Sequence, residues 1–309
     1  MIKHDTKEWL SHIFNLRRSD TLRTLLPVML GLGAYAALVV YLIREVFQLP
    51  DDSPLRNVSL IHTLLGFVIS LLLVFRTNTA YDRWWEGRKL WGSLVNNSRN
   101  LALKLNGLLA PDQAEDREFF AAMIANFAFA LKNHLRNHSG SSTFQESALF
   151  KAADLRPDHH LPGQISAALF GRVSELQRRG VLLPEHTLLL KDELQSFMDI
   201  CGACERIHNT PIPFSYSSFI KKFIFTYCVT LPLGYAFSLE YHVVTLAVFV
   251  FYVLGSLEII AEEIEDPFGT DANDLPTETI CRNISRSVGQ LLLSAEAGLP
   301  APSSAKLNK

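Results

Sequence analysis

The sequence predicts an all-α membrane protein in which four spanning helices continue into a helical cytoplasmic region. Apolar runs long enough to cross a bilayer recur four times. Between the second and third runs, apolar residues recur at helical spacing with no strand-like alternation. At 309 residues, 48% of them hydrophobic, and a mean hydropathy of +0.14, the chain is too apolar for an ordinary soluble protein. It is also too charged to consist of spans alone.

The first apolar run covers residues 26–46 and the second 58–75. The third, 219–237, carries a Pro232-Leu233-Gly234 interruption that neighbouring helices have to accommodate. The fourth, 243–260, follows after only Ser238 to His242, so the last two runs form a tight hairpin. Lys3, Lys7, Arg17, Arg18 and Arg23 precede the first run, Arg76, Arg83, Arg88 and Lys89 follow the second, and Lys221 and Lys222 open the third. The loop between runs one and two balances Arg44 and Arg56 with Glu45, Asp51 and Asp52. The excess of basic residues therefore places both termini and the long middle region in the cytoplasm of a multi-pass protein. No removable signal peptide is read at the N-terminus.

The middle region reads as helices with buried stripes. Phe119, Phe120, Met123, Phe127, Leu131 and Leu135 form one, Ile165, Leu169, Val173 and Leu176 a second, and Leu190, Leu194, Phe197 and Cys201 a third. Asn137 to Thr143 is a polar loop containing Gly140, and Pro184 starts the helix of the third stripe. The expected organisation is one integrated domain. Residues 1–76 carry the N-terminal segment and spans one and two, 77–218 the cytoplasmic helices, 219–262 spans three and four, and 263–309 an acidic segment and tail. A net charge of −2 with no basic stripe argues against nucleic-acid binding. The chain has no P-loop, GxSxG, HExxH or paired catalytic constellation, so nothing asks for an enzyme.

Three constellations are chemically distinctive. Directly after the fourth run, Glu262, Glu263, Glu265 and Asp266 crowd the membrane boundary, followed by Asp271 and Asp274. Such a cluster needs a cation, basic side chains or a helix N-terminus nearby. In the second run Thr63, Phe67, Leu71 and Phe75 lie four apart and so share one stripe. That stripe is either packing or lipid-facing surface, or a hydrophobic constriction repeated about an oligomeric axis. Finally, Cys201-x-x-Cys204 with His208 resembles part of a zinc set, but no fourth ligand is evident and packing is the better reading. His134 and His138, four apart, read as solvated rather than metal-bound.

The stretch from Phe75 to Gly92, the motif Gly202-Ala203-Cys204-Glu205-Arg206 followed by Thr210-Pro211-Ile212-Pro213-Phe214, and the run from Glu262 to Gly269 resemble the bestrophin ion-channel family in its bacterial branch. The motifs stand in the expected order over nearly the whole chain. The resemblance implies a homopentamer in a bacterial inner membrane with one central pore for small inorganic ions. The family's neck positions fall on Phe67, Leu71 and Phe75, and its lower aperture on Glu185, where the family often has an aliphatic residue. A ring of Glu185 carboxylates would favour cations, whereas weakly positive aromatic edges at Phe67 and Phe75 would favour chloride and other anions. The balance is read as a cation preference. In eukaryotic members a Ca²⁺ clasp occupies positions matching Glu263, Asp266, Asp271 and Asp274, but no cofactor is expected to be required. A secondary transporter or a membrane-anchored metal-binding protein are the alternatives from other classes.

Overall fold

The structure, a computed structural model, describes residues 20–50, 53–138 and 144–294. Lys3, Lys7, Arg17, Arg18, Asp51, Asp52, Gly140 and the C-terminal tail lie outside the described residues. Among those described there are eight α-helices and no strand, only one isolated bridge between Ser147 and Phe150. The chain divides into two compact units. Of the described residues, one holds those up to 84 together with 211–267 and 271–273, and the other those in 85–210, 268–270 and from 274 on.

The first unit contains α1 (Asp20–Tyr41), which ends in a wide π-type turn at Leu42–Val46. It also contains the N-terminal part of α2 (Val58–Leu108), α6 (Phe214–Leu239) and α7 (His242–Glu265). Among the described residues four helices are long and apolar enough to cross a membrane: Thr21–Val46, Pro54–Leu108, Phe214–Leu239 and His242–Glu265. Each matches a run found in the sequence, but α2 does not stop where its apolar residues do. It continues for 51 residues, about 77 Å at 1.5 Å per residue, far more than the roughly 30 Å of a hydrocarbon core. No proline interrupts Val58–Leu108, and its side-chain hydroxyls at Thr63, Ser70 and Thr79 bond back to carbonyls one turn earlier.

The core of this unit lies between α1, α6 and α7, with Ala36, Val40, Ala236, Val243 and Ala247 fully buried. Small residues there let helix backbones approach closely. Gly234 is the sharpest case. A β-carbon at this position would lie 2.7 Å from the Ser59 amide nitrogen and 3.1 Å from the Val58 carbonyl carbon. The start of α2 thus sits directly on α6, and the glycine after Pro232 is required by that approach. Pro232 itself stays inside α6, which runs on to Leu239. The α6–α7 hairpin turns at Glu240, whose φ of +49° lies in the left-handed region that favours glycine. The Glu240 amide donates to the Ala236 carbonyl, and its carboxylate pairs with Arg44 at 3.0 Å.

The second unit is built around α3 (Ala114–Leu135), in which Phe119 to Asn133 are all buried. A helix apolar on every side belongs inside a bundle. Packed on it are α4 (Leu161–Arg178), α5 (Pro184–Asn209) and α8 (Thr277–Leu293). All three stripes expected from the sequence are buried, and Phe127 stacks on Phe197 with centroids 4.7 Å apart. Pro184 occupies the first turn of α5. Buried Asn126 holds the segment after the polar loop, donating to the Gln145 carbonyl at 2.8 Å and accepting its amide at 2.7 Å.

Gly234→Ala should force α2 and α6 apart at a backbone contact that no rotamer can relieve. We expect a loss of about 1–3 kcal/mol, the usual range for overpacking, read as a lowered melting temperature in detergent. A variant melting like the wild type would show that the contact yields without strain.

Candidate functional site

The second span presents most of its apolar surface outward. Phe67, Leu71 and Phe75 are 64%, 44% and 63% exposed, while Ile69 and Leu73 are buried against the rest of the unit. The stripe identified by spacing is therefore one uncovered helix face. Leu60, Leu64 and Val74 extend it.

The next residue along α2 is the opposite in every respect. Arg76 follows exposed Phe75, yet is only 1% exposed. Its NH1 lies 2.7 Å from a Glu265 carboxylate oxygen and its Nε 3.5 Å from a carboxylate oxygen of Glu258, itself 3% exposed. A guanidinium buried between two carboxylates is held by its attraction to both, and its single charge offsets one of theirs. Glu265 is fixed from further directions. Its side chain accepts the Ile212 amide from the Pro211-Ile212-Pro213 turn, and its carbonyl accepts from Arg83 Nε at 3.0 Å. Nearby, Lys221 holds Glu262 at 2.8 Å and the Asn273 amide donates to Glu263 at 2.7 Å.

Of the three partners the acidic stretch was expected to need, basic side chains meet Glu262 and Glu265. Glu258, which the sequence reading did not single out, shares Arg76 with Glu265. Among the four residues matching a Ca²⁺ clasp, Glu263 is engaged by Asn273, Asp266 and Asp271 are exposed, and Asp274 is buried. Glu263, Asp266 and Asp271 belong to the first unit and Asp274 to the second. Glu185 is an exposed residue in the first turn of α5, where its charge suits the positive end of the helix. Leu183, Leu188 and Leu189 around it are exposed as well.

All four cysteines are buried, unbridged thiols. Burial, with Glu205 adding to it, pushes Cys201 up to about 12, and burial likewise pushes Cys204 up and Cys281 to about 12. Protonated thiols are poor nucleophiles, which argues against redox chemistry at Cys201 and Cys204. Two histidine arrangements escaped the sequence reading. His62 is buried beside α6, with Nδ1 3.0 Å from the Val58 carbonyl and Nε2 3.2 Å from the Tyr227 carbonyl. His134 and His160 meet at Glu205 in the second unit. His138, four residues after His134, lines the cleft beside this pair.

These features define a class: a multi-span helical membrane protein whose second span leaves an apolar face uncovered above a buried ionic cluster. Comparison with known proteins makes the assignment specific. Residues 1–290 match the family model described as Bacterial/Fungal Bestrophin protein. The chain belongs to the bestrophin family, a family of membrane ion channels. It is 34% identical over 283 residues to the voltage-dependent anion channel-forming protein mll4386 of Mesorhizobium japonicum, covering 91% of this chain and 89% of that protein. Identity to the voltage-dependent anion channel-forming protein YneE of Escherichia coli K12 is 35% over 242 residues, 77% of this chain and 78% of the relative. A solved bacterial bestrophin homologue from Klebsiella pneumoniae is 26% identical and superposes with a TM-score of 0.77 over 85% of this chain and 97% of its own.

Removing the Arg76 charge would leave two carboxylates buried without their cation. Arg76→Met should therefore cost about 3–5 kcal/mol, the range for breaking a buried ion pair, and sharply reduce the yield of folded protein in membranes. Normal yield and melting temperature for this variant would refute the central role given to Arg76.

Proposed function

We propose that the protein is a homopentameric channel passing monovalent inorganic ions passively across a bacterial inner membrane, with both termini cytoplasmic. The observation that carries the pore assignment is the outward face of α2. A stripe of Phe67, Leu71 and Phe75 left uncovered by its own chain suits a ring of such stripes about an axis. A ring of this kind narrows the water column to an apolar throat and controls flow by wetting and dewetting. Lipid covers the remaining apolar surface of the spans in this reading. No cofactor is required for conduction in this reading, and in the acidic stretch Glu262, Glu263 and Glu265 have side-chain or backbone partners.

Anions are the first reading for the permeating species, because the relatives mll4386 and YneE are named as anion channel-forming proteins. Ring edges of Phe67 and Phe75 carry partial positive charge that an anion can approach. This departs from the cation preference expected from the sequence. The cation reading keeps one supporting observation, the exposure of Glu185 among exposed leucines at the start of α5. Five such carboxylates around an aperture would repel anions, subject to screening by salt.

Purified protein in planar bilayers, with a tenfold KCl gradient and a Ca²⁺ chelator on both sides, should give currents reversing near the chloride equilibrium potential. Reversal near the potassium value would favour the cation reading, and currents that vanish with the chelator would overturn the cofactor-free reading. Replacing Phe67, Leu71 and Phe75 together by Ala should raise open probability several-fold. Unchanged gating and conductance would place the pore elsewhere.

Glu185→Lys tests the aperture separately. If Glu185 lines the path, the reversal potential of this variant moves further toward chloride. An identical value in variant and wild type removes Glu185 from the ion path.

A further inference from the structure

Four of the chain's ten histidines, His134, His138, His159 and His160, gather in one corner of the second unit. The last turn of α3 supplies His134, the cap of α4 supplies His160, and α5 supplies Glu205 opposite them. One carboxylate oxygen of Glu205 lies 2.7 Å from His134 Nε2 and 2.9 Å from His160 Nε2. The two rings stand at 90° with centroids 4.6 Å apart, so their Nε2 atoms aim at the same oxygen from different directions. One turn before Glu205 on the same face of α5, Cys201 Sγ is 3.8 Å from His160 Nε2. Beside this group opens a cleft of about 210 Å³ whose wall includes His134, His138 and His159.

From this geometry we propose that His134, His160 and Glu205 bind a divalent transition-metal ion of the zinc class, with Cys201 closing the coordination sphere. Two imidazoles, a carboxylate and a thiolate form a nitrogen–sulfur donor set that suits zinc or cobalt and is wrong for calcium or magnesium. In a tetrahedral zinc site neighbouring nitrogen and oxygen ligands are about 3.3 Å apart, and nitrogen and sulfur ligands about 3.6 Å. The 2.7 and 2.9 Å separations at Glu205 must therefore widen by about half an ångström, which partly exposed side chains can do by small rotations. The 3.8 Å separation from Cys201 to His160 is already close to the required edge. The cleft gives the ion its way in.

The protons must also be placed. His160 Nδ1 accepts the Gly163 amide at 3.1 Å, so its ring carries a proton on Nε2 and donates it to Glu205. When the ion takes Nε2, that proton moves to Nδ1 and the cap bond to Gly163 is released. His134 gives up its Nε2 proton in the same way by changing tautomer, and Cys201 loses its thiol proton to water. The bound ion would tie the end of α3, the start of α4 and the middle of α5 together. A pair of hydrogen bonds to one carboxylate, with no metal, is the competing account of the same contacts.

Metal-stripped full-length protein in detergent should be titrated with Zn²⁺ against a fluorescent chelator. One ion per chain is expected, with a dissociation constant below micromolar and a raised melting temperature. His134→Ala and Glu205→Gln should each weaken binding at least tenfold, His160→Gln should do so with less disturbance of the fold, and His242→Ala should bind like the wild type. With Co²⁺ the wild type should show a thiolate charge-transfer band that is absent in Cys201→Ser. Equal Zn²⁺ binding by the wild type and the His134, His160 and Glu205 variants, or no saturable binding at all, overturns the proposal. Cobalt binding without a thiolate band overturns the assignment of Cys201.

Discussion

Arg76 is the residue on which the first unit depends. Its guanidinium lies between the carboxylates of Glu258 and Glu265 in a buried site, and both acids belong to α7. Glu265 then holds the Pro211-Ile212-Pro213 turn that leads into α6. A single cation on α2 therefore fixes the C-terminal turns of α7 and the entrance of α6. Hydrophobic burial alone could not set this register, because apolar helices slide past one another at little cost in an apolar surrounding. The charges make one alignment far better than its neighbours, since every other alignment leaves a buried charge uncompensated.

Two of the basic residues after the second run, Arg76 and Arg83, both reach Glu265, one at its carboxylate and one at its carbonyl. Removing one member of a buried pair costs more than the pair itself contributes, because the other charge is left buried alone. Lys221 with Glu262 and Asn273 with Glu263 extend the arrangement outward into more exposed positions, where pairing contributes little to stability but keeps the carboxylates oriented.

Much of the fold was legible in the sequence because it rests on local periodicity. The spans, the three buried stripes of the second unit, the start of α5 at Pro184 and the tight α6–α7 turn all follow from spacings within one element. What could not be read was pairing between distant segments. Arg76, Arg83 and Arg88 look alike in sequence, and only the fold chooses Arg76 as the buried one. His134 and His138 were read together because they lie one turn apart, as were Cys201, Cys204 and His208. In the structure His134 instead meets Glu205, 71 residues away, and Cys201 faces His160. Spacing along a helix reveals which residues share a face, not what that face meets. The length of α2 was only half legible: no proline lies between Phe75 and Leu108, but no spacing within that stretch shows that one helix runs unbroken to Leu108.

Phe75 and Arg76 are consecutive, so their side chains leave the helix about 100° apart. One belongs to the uncovered stripe and the other is anchored inside. An axial roll of α2 large enough to carry Phe75 off its present bearing would drag the guanidinium out from between its two carboxylates. The helix is thus pinned in azimuth like a keyed shaft. The freedom left to the aromatic stripe is that of the rings themselves, turning about their own side-chain bonds, or of the whole unit moving as a piece.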